Sequence, residues 1–243
     1  MEQINILEFQ KGWLAVDKPC GLSVHNNPGN DLLNLLSDRI SSDALLKKHL
    51  GINASFRIHP VHRLDKETSG VMLLATDINV LRSLSELFVK GRVKKRYLAL
   101  VHGVFGREAG SHQYHIWDYP LSKIAGGRID PVGKGTRVNC MTRYRVLQQS
   151  SRYSLLEIEL MTGRKHQIRR HAKLSGHPVT GDTRYGSKKS IRYLRDTLSY
   201  HRLGLHCKCL EFVPPGQKEE VRIISENPLT DMDKLLSGDV LQM

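Results

Sequence analysis

The chain has 243 residues, 40% of them apolar, and carries 37 Lys plus Arg against 24 Asp plus Glu, a formal charge of +13 with a pI of 9.7. That length and apolar share suit a folded protein of one large or two small domains and exclude a disordered chain. The excess of positive charge calls for a polyanionic partner, nucleic acid first and an anionic membrane surface second.

In chain order, Leu14-Ala15-Val16 reads as an early strand, broken by Lys18-Pro19-Cys20-Gly21. Asn30 is placed to cap a helix whose apolar positions Leu32, Leu33, Leu35, Leu36 and Ile40 share one face. Val71 to Ala75 is a short apolar run of the kind that fills a buried strand, far too short to cross a bilayer. Asp77 can cap the next helix, with Leu81, Leu84, Leu87 and Phe88 at helical spacing and Gly91 where a left-handed cap is wanted. Strands then dominate, over Arg96–Val101, Val138–Leu147 and Ser154–Met161. A helix from Lys165 to Leu174 is ended by Gly176 and Pro178; strands over Leu203–Phe212 and Val221–Ile224 and a small helix from Pro228 onward close the chain. The sum is an α+β fold with a mostly antiparallel central sheet and flanking helices.

The opening MEQINILEFQ lacks the layout of a secretory signal, and Cys20, Cys140, Cys207 and Cys209 are scattered, which fits a reducing cytoplasm. Cys207 and Cys209 beside His206 and His201 invite a zinc reading, but one Cys-x-Cys without a second pair is a weak signal. Alternation through Leu203–Leu210 reads as a strand with small buried thiols, and no metal is expected.

The most informative stretch is HPVHRLDKETSGVMLLATD, from His59 to Asp77. Asp65 sits just ahead of a core strand with Arg63 two residues before it. Spacing alone leaves it either a structural ion-pair partner or a catalytic carboxylate. Two other segments carry matching chemistry. Thr162-Gly163-Arg164-Lys165-His166-Gln167-Ile168-Arg169-Arg170-His171 places dense donors at a helix start, suited to an anion or simply a solvated basic face. Tyr97, in Lys94-Lys95-Arg96-Tyr97, is by default a core residue with a satisfied hydroxyl.

Together these segments resemble the RluA family of RNA pseudouridine synthases. His62-Arg63-Leu64-Asp65 followed by Thr68-Ser69-Gly70 is similar to its catalytic signature. Gly163 to His171 resembles its GRxHQIRxH motif, continued by Gly176-His177-Pro178 and Gly181-Asp182, and Lys95 to Gly103 resembles its K-x-Y-x-A-x-V-x-G strand. Asp17 to His25 and Leu205 to Phe212 match two further segments, with Cys207 where alanine is usual. The resemblance implies the pseudouridine synthase catalytic fold with an active-site cleft, as a single domain over residues 1–243, matched over about 6–224, with 225–243 a C-terminal extension and no S4-like module ahead of it. It also implies that Asp65 carries the isomerisation, Tyr97 stacks on the target base, Arg169 pairs with the carboxylate, and Arg63 fills the gap left by the flipped nucleotide. Further RNA contacts are expected from His62, Lys94, Lys95, Arg164, Lys165, His166 and Arg170, and from part of a second basic cluster at Arg184, Lys188, Lys189, Arg192 and Arg195.

Isomerisation needs no redox cofactor, nucleotide or metal, so none is expected. The expected partner is transfer or ribosomal RNA, met in the cytoplasm by a monomer without an obligatory protein partner. Two rivals remain: an inactive RNA-binding protein of the same fold, and a nuclease or glycosylase using Asp65 with His62 or His166. The stretch from Val104 to Arg137 matches least and is where substrate choice is expected to reside.

Overall fold

The computed structural model describes residues 4–25, 27, 29–52, 56–106, 113–226 and 229–239. The chain begins with strands β1 (Asn5–Gln10) and β2 (Trp13–Lys18), helices α1 (Leu32–Ser42) and α2 (Ala44–Leu50), then β3 (His59–Pro60), β4 (Ser69–Ala75) and α3 (Ile78–Val89). Next come β5 (Lys94–His102), β6 (His115–Trp117), β7 (Leu121–Ile124), β8 (Lys134–Val138), β9 (Thr142–Gln149) and β10 (Tyr153–Leu160). Helices α4 (Gln167–Leu174) and α5 (Lys188–Asp196) precede β11 (Leu205–Phe212), β12 (Val221–Ile224) and α6 (Thr230–Ser237). This is the expected α+β composition, and the strand pairs detailed below are antiparallel.

Two compact units emerge, one from Met1–Lys95 with Cys207–Asn227, the other from Arg96–His206 with Pro228–Met243. In the first, the strand order is β1-β2-β4-β11, with β3 added to β4 and β12 to β11. β2 and β4 pair antiparallel from Trp13 opposite Ala75 to Lys18 opposite Gly70. Every residue of β4 is buried, as its apolar run predicts. Gly70 is required by packing and backbone alike: its φ is +109°, and a Cβ there would lie 2.2 Å from the Cys207 carbonyl oxygen. Cys207 and Cys209 are buried along β11, as the alternation predicts.

The cap of α1 is Asp31 rather than Asn30. The Asp31 carboxylate accepts from the Asn34 N–H, while the Asn30 N–H is used in a turn to the Asn27 carbonyl. Leu32, Leu36 and Ile40 form its buried stripe. Asp77 caps α3 through the Asn79 and Val80 N–H groups, and Gly91 takes φ +66° just beyond its end. Helix α2 escaped the sequence reading because only Leu46 and Leu50 are buried in its seven residues.

In the second unit the order is β5-β10-β9-β6, antiparallel throughout, with β7 and β8 as a separate antiparallel ribbon. The single strand expected over Val138–Leu147 is broken. Between β8 and β9 the Cys140 thiol donates to the Tyr119 carbonyl and the Met141 N–H to Thr162 Oγ1, so the backbone leaves the ribbon before entering the sheet. The C-terminal stretch is not a loose extension. Leu229, Met232, Leu235 and Leu236 pack with Leu100, Tyr153, Leu194 and Tyr200. The Asp239 carboxylate then accepts from Ser150, Ser151 and the Arg152 N–H at 2.7–2.9 Å. Pro228, where that helix was expected to start, lies outside the described residues, as do 107–112 of the weakly matched stretch.

Candidate active site

In the first unit the turn bearing Asp65 is anchored from below by a lysine. Lys18, at the end of β2, is fully buried, and its ammonium donates to the carbonyls of Pro19 (2.9 Å), Leu22 (2.9 Å) and Lys66 (3.0 Å). The Gly21 N–H joins it on the Lys66 carbonyl, and the Cys20 thiol donates to the Glu67 carbonyl. The Thr68 N–H closes the turn onto the Asp65 carbonyl at 3.0 Å. A buried ammonium is tolerated only when its hydrogen bonds are met, and here three backbone acceptors meet them. Asp65 is therefore half-buried on a backbone fixed on both sides, while Arg63 is exposed.

His62 secures the other end of the same turn. Its Nε2 accepts the Leu73 N–H at 3.0 Å, and its ring stacks on Phe88 with centroids 4.8 Å apart and planes 15° from parallel. Burial, and then the nearby Lys95 charge, push its pKa down to about 4, so the ring is neutral at pH 7 and free to accept. Burial also lowers the pKa of Lys95. Lys94 is exposed and lies 3.5 Å from Glu220 and 3.8 Å from Glu211.

In the second unit Tyr97 is buried in β5 opposite Ile158 of β10. Arg169 and Asp182 form a buried bidentate pair, Nε to Oδ2 at 2.8 Å and Nη2 to Oδ1 at 2.9 Å. Asp182 is itself held by the Arg184 and Tyr185 N–H groups. The Arg169 guanidinium lies 5.5 Å from the centre of the buried Tyr185 ring, whose hydroxyl meets His166 Nδ1 at 2.9 Å. His166 itself has φ +54° and ψ +29°, a left-handed conformation costly for a residue with a Cβ. Helix α4 has no side-chain cap, and Gln167 instead ties the turn before it: its Oε1 accepts from the Arg164 N–H and Thr162 hydroxyl, while its Nε2 donates to Met141 O and Thr142 Oγ1.

Arg164 and Lys165 are exposed at the start of this helix, as a nucleic-acid contact requires. Arg170 is a correction. It is fully buried, and its guanidinium donates to the carbonyls of Pro131, Ser122, Val132 and Lys165, which stitches the ribbon to α4 and leaves no surface for RNA. The helical period separates the two buried neighbours: 100° around the axis from Arg169, which meets Asp182, Arg170 meets the ribbon carbonyls. Asp182, Tyr185 and Lys18 received no role from sequence. Asp182 and Lys18 lay inside matched segments, and their burial was the missing signal. Among the described residues no group of three or more His, Cys, Asp or Glu is placed to hold a metal, and no helix is long and apolar enough to cross a membrane.

The α+β fold is shared with solved structures. A human protein titled RNA Pseudouridylate Synthase Domain Containing 1 superposes with a TM-score of 0.74 over 100% of this chain and 91% of its own, at 24% identity, which shows the fold. Residues 12–174 match the family described as RNA pseudouridylate synthase. The tRNA pseudouridine synthase C of Haemophilus ducreyi is 31% identical over 233 residues, covering 91% of this chain and 90% of that protein. The ribosomal large subunit pseudouridine synthase C of Buchnera aphidicola is 31% identical over 224 residues, covering 90% of this chain but 65% of that protein. The chain belongs to the RNA pseudouridylate synthase family and is an isomerase acting on RNA.

Proposed function

We infer that the protein converts uridine to pseudouridine in transfer RNA, ribosomal RNA or both, with Asp65 as its catalytic carboxylate. The reaction breaks the N1–C1′ bond, turns the uracil, and joins C5 to C1′, with the C5 proton passing to solvent and N1 taking up a proton in its place. One ionised acid suffices, attacking C1′ or removing a proton from C2′, provided water is kept from the sugar. On this reading Arg169 balances the Asp65 charge, Tyr97 supplies a ring face for the base, and exposed Arg63 occupies the gap left in the RNA. Arg164 and Lys165 contact phosphates. His62 holds the turn rather than the RNA, because its acceptor nitrogen and one ring face are already engaged. The enzyme works as a monomer in the cytoplasm, with its RNA.

The observation that carries this reading is the clamp on the HRLD turn. A buried ammonium fixes the backbone next to one half-buried carboxylate, which is how a catalytic group is preorganised. RNA tritiated at uridine C5 should lose label to water when treated with the protein, with the RNA mass otherwise unchanged. Shortened RNA or released uracil would instead indicate a nuclease or a glycosylase, and binding without label release an inactive protein of the same fold. Tyr97→Leu should keep RNA binding while turnover falls by orders of magnitude; simultaneous loss of folding would return Tyr97 to the core.

A further inference from the structure

The β7–β8 ribbon and the entry to α5 are fastened together by two arginines in reciprocal fashion. Arg128, in the ribbon turn, donates to the carbonyls of Gly186 and Thr183, and Arg184 donates back to Gly126 (2.8 Å) and Ala125 (3.0 Å). Those guanidiniums are used internally, so they hold two elements side by side rather than face a ligand. The elements they hold are cationic. Lys123, Lys134 and Arg137 are exposed on the ribbon; Lys188, Lys189 and Arg192 are exposed on α5.

Elsewhere in this unit four arginines have acids: Arg143 with Glu159, Arg145 with Glu157, Arg152 with Asp239, Arg195 with Asp196. Among the described residues the six cations of ribbon and helix have no ion pair. Helix α5 directs Leu194 into the core, and Lys188 and Arg192 follow one another along its outer face, one turn or about 6 Å apart at 1.5 Å rise per residue. An ordinary solvated face would mix signs or pair its charges. A row of uncompensated cations on two mutually braced elements fits a polyanion with regularly spaced charges.

We propose that the ribbon and α5 form a second RNA contact, a platform that binds backbone phosphates of the folded substrate away from the uridine being isomerised. This rests on the RNA reading above and deepens it: the substrate is recognised as a folded RNA, not as a short uridine-bearing strand. The contacts are to phosphates, so they set affinity and orientation and leave base choice to the catalytic region.

The test compares wild-type protein with K188Q/K189Q/R192Q, binding unfractionated transfer RNA or a 12-nucleotide oligouridylate over a salt series. Each lost phosphate contact should reduce the slope of log K against log salt by about 0.7–0.9, so the triple variant should lose about 2–3 in slope and bind transfer RNA about tenfold or more weakly at low salt. Oligouridylate binding should change less than about twofold. K188R/K189R, which keeps the charges, should bind as wild type. Unchanged transfer RNA binding by the triple variant, or equal losses for both probes, overturns the platform. So does loss of binding to phosphatidylglycerol vesicles alone, which would assign the patch to a membrane. Tritium release by wild-type protein in the same preparation keeps the two ideas apart: its absence counts against the isomerase reading, while the salt slopes judge the platform.

Discussion

The Asp65 turn and the start of α4 solve the same problem with opposite charges. In the first, a buried cation, Lys18, immobilises the backbone beneath an acid; in the second, a buried acid, Asp182, immobilises the guanidinium of Arg169. The supporting charge is the deeper one in the first case and at least as deep in the second, and each makes at least three hydrogen bonds. The Asp65 turn and the Arg169 side chain are thus each held from inside their own unit. The difference lies in what the clamp grips. Lys18 grips backbone carbonyls, so it sets where Asp65 starts from but not its rotamer. Asp182 grips the Arg169 side chain itself, and fixes its plane.

That contrast can be broken by removing each support. Asp182→Ala leaves the Arg169 guanidinium buried without its bidentate partner and should cost about 3–5 kcal/mol, seen as a lowered unfolding midpoint in urea. Lys18→Met keeps the volume of the stem but strips a donor from three carbonyls. It should cost about 2–3 kcal/mol and reduce turnover more than RNA affinity, because only the turn is loosened. If either variant keeps both stability and rate, its clamp is incidental.

The pH dependence of stability sharpens the first region. His62 is neutral when folded, with its pKa lowered to about 4, whereas an unfolded histidine titrates near 6.5. Above pH 6.5 neither state binds the proton, so nothing is lost. As pH falls from 6.5 toward 4 only the unfolded chain binds it, and stability declines by on the order of 3 kcal/mol at most. Burial lowers the pKa of His102 and His171 in the same direction. The measurement is therefore a difference: denaturation of His62→Gln across pH 7 to 4.5 should be flatter than that of wild type. The smallest stability effect belongs to exposed Arg63. Arg63→Ala should change stability by no more than about 0.5 kcal/mol while slowing turnover by about tenfold, roughly 1.4 kcal/mol of barrier.

The elements legible in sequence were those whose signal is local. Asp77 before a helical stripe, the unbroken apolar run of β4, and Gly91 after α3 each declare themselves within a few residues. What stayed hidden depends on partners distant along the chain. Nothing near Lys18 announces that its ammonium reaches Lys66, and nothing in Arg169-Arg170 says that Asp182 holds the first arginine or that the second holds a ribbon. The break at Cys140 was invisible for the same reason, since Tyr119 and Thr162 impose it from afar. The motif residues were legible through resemblance; the clamps that hold them were legible only in the fold.

The proposed function puts the chemistry on one side chain, Asp65, held on a braced turn. Replacing it with its uncharged isostere, Asp65→Asn, preserves shape while removing the negative oxygen. In the tritium-release assay that variant should fold, bind RNA and liberate no label above background. Release at the wild-type rate would place the reacting carboxylate elsewhere.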